Sequence, residues 1–162
     1  MKRKLALAAL VSLSSSVALA NTIPEVGCFT RIYSADHLAS NPNQGVAAMR
    51  LLLVHTPEYA ASVTAVLDVT MADQGQGRAD NVGGHTLSVG LGCLSMRCHS
   101  DGDAGGIDIS RQSSDGITFQ GSALLGDWEQ DHLPSSSLSE GTGQPTVYRL
   151  NAASAGSCEG MY

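Results

Sequence analysis

Short segments in which apolar and polar side chains alternate place the strongest constraint on how this chain folds. The clearest is residues 62–71 (SVTAVLDVTM), where Thr64, Asp68 and Thr70 share one side and mostly branched apolar residues share the other. Successive side chains of a β-strand point to opposite faces, so this segment is predicted to be a strand with one buried and one solvated face. The predicted buried face consists of Val63, Ala65, Leu67 and Val69.

Similar segments recur between turn-forming residues along the chain. They are residues 46–55, 85–94, 107–111, 116–120 and 146–151. The first of them is predicted to form a hairpin with residues 62–71, and the Asp115-Gly116 step predicts another hairpin turn. Strands of this length and spacing predict a mainly β protein, which is a single-domain antiparallel β-barrel or sandwich of about six to eight strands.

Helix is scarce in this interpretation. Residues 34–39 are predicted to form one short helix near the N-terminus of the mature chain, with Ser34 as its N-cap and Asp36 near the positive end of the helix dipole. Residues 72–84 and 133–144 are poor in bulky apolar side chains. Both segments are therefore predicted to be surface loops, the second a mobile one.

Residues 1–20 have the three-part composition of a secretory signal peptide. Basic residues open the segment, an apolar stretch follows over residues 5–13, and Ala18-Leu19-Ala20 provides small residues for cleavage. The apolar stretch is too short to span a bilayer, and no stop-transfer segment follows it. We therefore expect a signal peptide over residues 1–20, one β-rich domain over residues 21–162, no membrane span, and a periplasmic or secreted mature protein.

The expected mature chain is strongly acidic. It contains six arginines, no lysine and fifteen Asp and Glu residues, which gives a formal charge of −9 with neutral histidines. Binding to nucleic acid or to an anionic membrane requires clustered basic side chains, and these arginines are scattered along the sequence. The charge therefore argues against nucleic acid and favours a basic protein as the partner.

Four cysteines, an even number, remain in the expected mature chain. In an oxidising compartment they are interpreted first as crosslinks, and four cysteines allow three pairings. We favour Cys93 with Cys98, which closes a small loop, and Cys28 with Cys158, which joins the two ends of the domain. This arrangement leaves no free thiol for a cysteine nucleophile.

An acidic, glycine-rich stretch over residues 101–108 is the sharpest local motif. Asp101, Asp103 and Asp108 are separated by mostly small residues, and carboxylate oxygens in such a loop are ligands for Ca²⁺. An EF-hand loop counted from Asp101 needs a bidentate carboxylate at its twelfth position, where this chain has Gln112. The motif therefore predicts a solvated turn, with weak calcium binding as the alternative and no other cofactor.

Motifs for catalysis are absent or incomplete. The chain has no Gly-x-Ser-x-Gly sequence, and its five histidines have no metal-binding spacing. Asp127 and Glu129 flank Trp128 in the way that carboxylates flank an aromatic ring in glycosidases, and a histidine with Asp36 is a further acid–base pair. We therefore expect a protein without enzymatic activity, with a small envelope hydrolase as the alternative.

The opening of the mature chain carries a recognisable motif. It runs Cys28-Phe29-Thr30-Arg31-Ile32-Tyr33, then His37-Leu38-Ala39, Pro42 and Gln44. This segment resembles the start of an uncharacterised group of small exported bacterial proteins, whose pattern is Cys-aromatic-x-Arg-x-Tyr followed by His-Leu-Ala, Pro and Gln. That group also has a later Cys-x-x-x-Asp-Gly-Gly segment, whose residues occur here at altered spacing after Cys98. The resemblance implies no activity, and it marks Arg31, Tyr33, His37 and Gln44 as candidate binding residues.

These features favour an exported binding protein of unknown ligand. An inhibitor-like module that binds a basic envelope protein is the concrete form of this hypothesis, because an anionic surface attracts cationic partners. The alternatives are the small envelope hydrolase and a structural envelope protein that has no ligand.

Overall fold

A computed structural model describes residues 23–56, 62–100, 102–126, 133–140 and 145–161. The expected signal peptide lies outside these residues. The described chain is mainly β with few helical residues, which confirms the predicted fold class. The strands are β1 (Gly27–Ile32), β2 (Val46–His55), β3 (Val63–Met71), β4 (Thr86–Leu94), β5 (Arg97–His99), β6 (Gly106–Ser113), β7 (Gly116–Gly121), β8 (Leu124–Leu125), β9 (Ser136–Ser137) and β10 (Thr146–Ala153). The helices are α1 (Ala35–Ser40), α2 (Gly75–Ala79) and a 3₁₀-helix (Ala155–Cys158).

Eight of the strands close into an antiparallel barrel. Each strand from β1 to β6 pairs with the next one along the chain, and β10 pairs with both β7 and β1 to complete the circle. Strands β8 and β9 pair only with each other, in the connection between β7 and β10. The predicted hairpins of β2 with β3 and of β6 with β7 are both present.

Apolar side chains from the inward faces of the strands fill the barrel. The buried face predicted for β3 is confirmed, since Val63, Ala65, Leu67 and Val69 are fully buried. The predicted solvated face is only partly so, because Asp68 is also buried and pairs with Arg50. An eight-stranded barrel is just wide enough for its own side chains to fill it. A functional site is therefore expected at the ends of the barrel or on its outer wall. The largest fully buried side chains are Phe119, Met49, Leu51, Leu53, Leu67, Met71, Leu87, Leu91, Ile107, Ile117, Leu125 and Leu138.

The two ends of the barrel differ in what they carry. At one end, residues 33–45, 72–85, 100–105 and 122–145 connect the strands, and they include α1, α2 and the β8–β9 hairpin. We call this the loop end. The opposite end carries residues 56–62, 95–96 and 114–115, together with the start of β1 and the end of β10. We call this the turn end.

Both predicted disulfides are present. Cys93 and Cys98 are direct neighbours in the β4–β5 register, and Cys28 and Cys158 join β1 to the 3₁₀-helix across 130 positions of the sequence. Cys28 and Cys158 form a second apolar cluster on the outer wall with Leu52. The disulfides indicate an oxidising compartment outside the cytoplasm.

In the part of the chain that the structure describes, no helix is long and apolar enough to cross a membrane.

Two segments predicted to be surface loops contribute to the core instead. In residues 72–84, α2 forms and the side chain of Val82 is fully buried. In residues 133–140, β9 forms and the side chain of Leu138 is fully buried, while residues 141–144 of that predicted loop lie outside the described residues. One large buried apolar side chain anchors each segment, with the smaller Ala72 also buried in the first. The mostly polar composition of a dozen residues hides that signal.

Candidate functional site at the loop end

The four candidate binding residues lie together beside the loop end, in one series of side-chain contacts. The Arg31 guanidinium lies over the Tyr33 ring, 5.1 Å from its centroid, where a cation is attracted by the face of an aromatic ring. The rings of Tyr33 and His37 stack with their centroids 4.9 Å apart. His37 Nε2 lies 2.9 Å from Gln44 Oε1. The motif at the start of the mature chain therefore corresponds to one contiguous group in the structure.

Hydrogen bonds around His37 assign the proton on its ring. Gln44 Nε2 donates to the carbonyl oxygen of Val46 at 2.8 Å, which turns Gln44 Oε1 towards His37. An amide oxygen can only accept, so the network assigns the N–H donor of His37 to Nε2. In the neutral ring, Nδ1 is then left as an acceptor.

Hydrogen bonds at both ends of α1 position this group. Ser34 Oγ accepts a hydrogen bond from the backbone N–H of His37 at 3.2 Å, so the predicted N-cap is confirmed. After the helix, Gln74 Nε2 lies within hydrogen-bond distance of the carbonyl oxygens of Leu38, Asn41 and Gln44, at 2.9 to 3.1 Å. One amide from the β3–β4 connection thereby holds the β1–β2 connection in place.

Glu140 borders this group, and nothing in the sequence singles it out. Burial raises the pKa of its carboxyl above the usual value, although the backbone N–H groups of Gly45 and Val46 favour the charged form. Glu140 Oε1 is buried and has no hydrogen-bond partner among the described residues. An unpartnered buried oxygen costs free energy, so this position favours either a proton or a cation brought by a ligand.

Two tyrosines interact with the Glu140 carboxylate. Burial raises the pKa of Tyr33, the Arg31 guanidinium opposes this change, and the Glu140 carboxylate adds to it. Burial and the same carboxylate raise the pKa of Tyr148, whose hydroxyl donates to the carbonyl oxygen of Leu138 at 2.8 Å. Both phenols therefore stay protonated at neutral pH, so Glu140 is the group of this contact region that can carry a negative charge.

A depression of about 410 Å³ opens beside Glu140, and the β1–β2 connection forms the rest of its lining. The other lining residues are Ser40, Asn41, Pro42, Asn43 and Gln44, which carry no formal charge. A positively charged side chain that enters the depression would therefore meet one carboxylate and several amide and carbonyl oxygens. The chemistry of this lining suits a cation rather than an anion.

Acidic residues are concentrated in the connections of the loop end. Nine of the fifteen acidic residues, and only one arginine, Arg78, belong to these connections in the sequence. Five of the nine, Asp36, Asp73, Asp80, Asp103 and Glu140, are described by the structure. Asp73 pairs with Arg78, and Asp80 accepts hydrogen bonds from Gln76 and Ser136. The remaining described carboxylates form no ion pair with a described residue.

Two of the three aspartates of the predicted weak calcium site, Asp103 and Asp108, are among the described residues. Asp103 is exposed in a turn, Asp108 lies on β6 with Oδ1 3.4 Å from Arg97 Nε, and Asp101 lies outside the described residues. Within the described ranges, no three His, Cys, Asp or Glu side chains form a group that could hold a metal ion. Weak calcium binding stays a prediction.

The residues suggested for a hydrolase are also dispersed or undescribed. Asp127, Trp128 and Glu129 lie outside the described residues. His37 forms its hydrogen bond with Gln44, whereas Asp36 is exposed on the first turn of α1. The acid–base pair of a histidine with Asp36 is therefore not supported by a contact in the described structure.

No family model matches the chain, and neither a curated protein nor a solved structure matches it. The candidate site therefore depends on its own geometry, which is an acidic barrel end with a half-buried carboxyl beside an Arg–Tyr–His–Gln series.

Proposed function

We propose that this protein is an exported binding protein without enzymatic activity, and that its loop end binds a basic protein of the cell envelope. The observation that carries the proposal is that, in the sequence, the connections of this end contain nine of the fifteen acidic residues and a single arginine, and five of the nine are among the described residues. Charge of one sign on one end of a rigid body steers a partner of opposite sign and orients it during encounter. A basic partner would therefore approach this end first.

Glu140 supplies a specific contact within this general attraction. Its half-buried carboxylate lines a depression whose other lining residues are uncharged. A lysine or arginine side chain from the partner would bring the missing counter-charge, and arginine would also donate to the amide oxygens of residues 40–44. Contacts of this kind, in which a basic side chain enters a partly desolvated pocket, often dominate binding energy.

An inhibitor-like action on a basic cell-wall hydrolase is the concrete form of the proposal. The loop end presents its connections on a barrel that is closed by hydrogen bonds and crosslinked by two disulfides. A rigid scaffold loses little conformational entropy on binding, which favours a stable complex. A hydrolase whose basic surface is covered in this way would lose access to its substrate.

Two sets of charge-neutralising substitutions test the proposal. The first set is Asp36→Asn, Asp103→Asn and Glu140→Gln at the loop end, and the matched control set is Glu25→Gln, Asp115→Asn and Glu159→Gln at or beside the turn end. Both sets remove three negative charges. Binding to a cationic lysozyme and to an arginine-rich peptide is measured by calorimetry at low ionic strength, where electrostatic attraction is least screened.

The loop-end set is expected to weaken binding at least tenfold, whereas the control set weakens it less than threefold. Equal weakening by both sets would show that net charge alone is responsible, and it would overturn the assignment of the loop end. If neither probe binds the unsubstituted protein, the proposal of a basic partner is wrong.

Glu140 also supports a second candidate function, a small envelope hydrolase. A carboxyl whose pKa is raised by burial is the usual form of a general acid at neutral pH. On this hypothesis the protein would release soluble fragments from cell-wall material, and Glu140→Gln would abolish the release. Binding without any turnover favours the first proposal.

A further inference from the structure

The outer wall of the barrel carries charge of the opposite sign to its ends. Five of the six arginines of the expected mature chain lie on barrel strands, and the strands carry only two acidic residues, Asp68 and Asp108. Arg50 pairs with Asp68, and Arg97 pairs with Asp108. The charge that the outer wall presents to a ligand therefore depends on the arginines that are not part of these two ion pairs.

Arg111 and Arg149 stand on either side of Thr118. In the strand register, Thr118 of β7 is paired with Arg111 of β6 on one side and with Arg149 of β10 on the other. Paired residues of neighbouring strands point to the same face, and strands lie about 4.8 Å apart, so the two arginine Cα atoms lie about 10 Å apart across β7. Both arginines are exposed on the outer wall.

Neither arginine has a counter-ion in the described structure. Within the described residues, the guanidinium groups of Arg111 and Arg149 form no salt bridge and no hydrogen bond, in contrast to Arg50, Arg78 and Arg97. The two like charges flank β7 and repel each other across it, and an anion bound between them would relieve this repulsion. The pair is unexpected in a protein with an excess of acidic residues.

A depression of about 80 Å³ lies between the two arginines. A single water needs roughly 10 to 15 Å³ of such space, so the depression has room for a compact ion rather than for an extended chain. Its lining also includes Ser113, Thr118 and the carboxylate-bearing Asp115. The Thr118 hydroxyl is a further donor, whereas the Ser113 hydroxyl donates to the carbonyl oxygen of Gly116 and the Asp115 charge opposes the binding of an anion.

We propose that Arg111, Arg149 and Thr118 form a binding site for a tetrahedral oxyanion, either inorganic phosphate or the phosphoryl group of a small phosphorylated molecule. The planar guanidinium presents a fork of N–H donors that matches phosphate oxygens in pairs, and two such forks with a hydroxyl between them surround one ion. The site lies on the outer wall and does not depend on the function proposed for the loop end.

The test is an NMR titration of the ¹⁵N-labelled protein with inorganic phosphate and, separately, with glucose 6-phosphate, with glucose as the uncharged control. We expect saturable shifts of the Arg111, Thr118 and Arg149 amides with dissociation constants in the millimolar range, because the site is open to solvent. Similar affinity for both anions indicates recognition of the phosphate group alone. Affinity at least tenfold higher for the sugar phosphate indicates a phosphorylated molecule as the ligand.

Matched variants separate this site from general electrostatics. Arg111→Gln with Arg149→Gln should weaken binding at least tenfold, whereas Arg78→Gln with Arg97→Gln, which removes the same charge, should change it less than twofold. Asp115→Asn should strengthen binding two- to threefold, because it removes the opposing charge. The proposal is overturned if neither anion shifts these amides, or if the two double variants weaken binding equally. Circular dichroism confirms that each variant is folded.

Discussion

The two ends of this barrel are closed by different chemistry. Beside the turn end, closure is covalent and apolar, since the Cys28–Cys158 disulfide is packed in one cluster with Leu52 and Met161 on the outer wall. The segment before β1 is fixed there by Gln112, whose amide accepts from the backbone N–H of Glu25 at 2.9 Å and donates to its carbonyl oxygen at 2.7 Å. This end holds the two termini of the domain together.

At the loop end, closure depends mostly on polar side chains. Gln74 holds the connection that contains α1, and Asp80 accepts hydrogen bonds from Gln76 and from Ser136 of β9. Water competes for each of these hydrogen bonds, so each contributes only about 1 kcal/mol to the free energy of unfolding. The turn end therefore contributes more to the stability of the fold. The loop end, which is closed by weaker interactions, carries the candidate site and most of the acidic residues in the sequence.

The largest expected effect on the free energy of unfolding comes from removing the disulfide beside the turn end. Cys28→Ser with Cys158→Ser should lower the free energy of unfolding by about 5 kcal/mol, because the crosslink closes nearly the whole domain and restricts the unfolded chain. Cys93→Ser with Cys98→Ser is the matched control, and its small loop predicts a loss of about 2 kcal/mol. Urea unfolding of the three proteins measures both values. Equal losses would contradict the special role assigned to the bond between the termini.

A second test measures how much a buried apolar side chain at the loop end contributes to the free energy of unfolding. Leu138→Ala should lower the free energy of unfolding by about 3 kcal/mol, because its side chain is fully buried in the core below the β8–β9 hairpin. Leu124→Ala on the same hairpin is the control, since Leu124 is 45% exposed and its truncation should cost less than about 1 kcal/mol. Similar small losses for both variants would instead support the mobile loop that the composition of residues 133–144 predicts.

The sequence allowed much of the barrel to be predicted, for an identifiable physical reason. Strands such as β4 bury one face and leave most of the other exposed, so apolar and polar residues alternate along their sequence. The disulfides follow from an even cysteine count and an export signal, which together make crosslinks the default. Strand β1 is not among the predicted strands, because Gly27 at its start and two successive buried residues, Cys28 and Phe29, interrupt the alternation.

The loop end was harder to predict because tertiary contacts decide its local structure. Helix α2 contains two glycines within five residues, which local propensity disfavours. Gly75 has a positive φ of 51°, and an added Cβ at Gly77 would collide with the carbonyl oxygen of Ala72, so only glycine suits this close packing. The helix forms because the chain folds back to bury Val82.

The candidate site could be predicted in part, because its members come from two kinds of segment. Arg31, Tyr33, His37 and Gln44 belong to one motif, and the structure brings them into contact. Glu140 comes from a distant polar segment and lies beside them only because the barrel closes through β10. A lone glutamate among serines and glycines carries no local signal of burial. The burial of Glu140 is therefore evident only from the folded structure.

The finest test of the comparison concerns the pH dependence that Glu140 adds at the loop end. Burial raises the pKa of its carboxyl in the folded protein above the unfolded value of about 4.3, so the folded state holds this proton more tightly. Stability from this group is therefore fully present below pH of about 4 and is lost as the pH rises through the folded pKa. Glu140→Gln removes that dependence.

The difference in unfolding free energy between Glu140→Gln and the unsubstituted protein should therefore shift in favour of the variant as the pH rises from 4 to 7. Urea unfolding at several pH values measures this difference, and a titration of the Glu140 carboxyl by NMR measures the pKa directly. Glu25→Gln, the same substitution at an exposed glutamate, is the control. A difference that stays constant with pH would mean that the hydrogen bonds from Gly45 and Val46 balance burial, and a difference that moves in favour of the unsubstituted protein would mean that they outweigh it. In the second case Glu140 would be a structural anion, whose charged form stabilises the loop end.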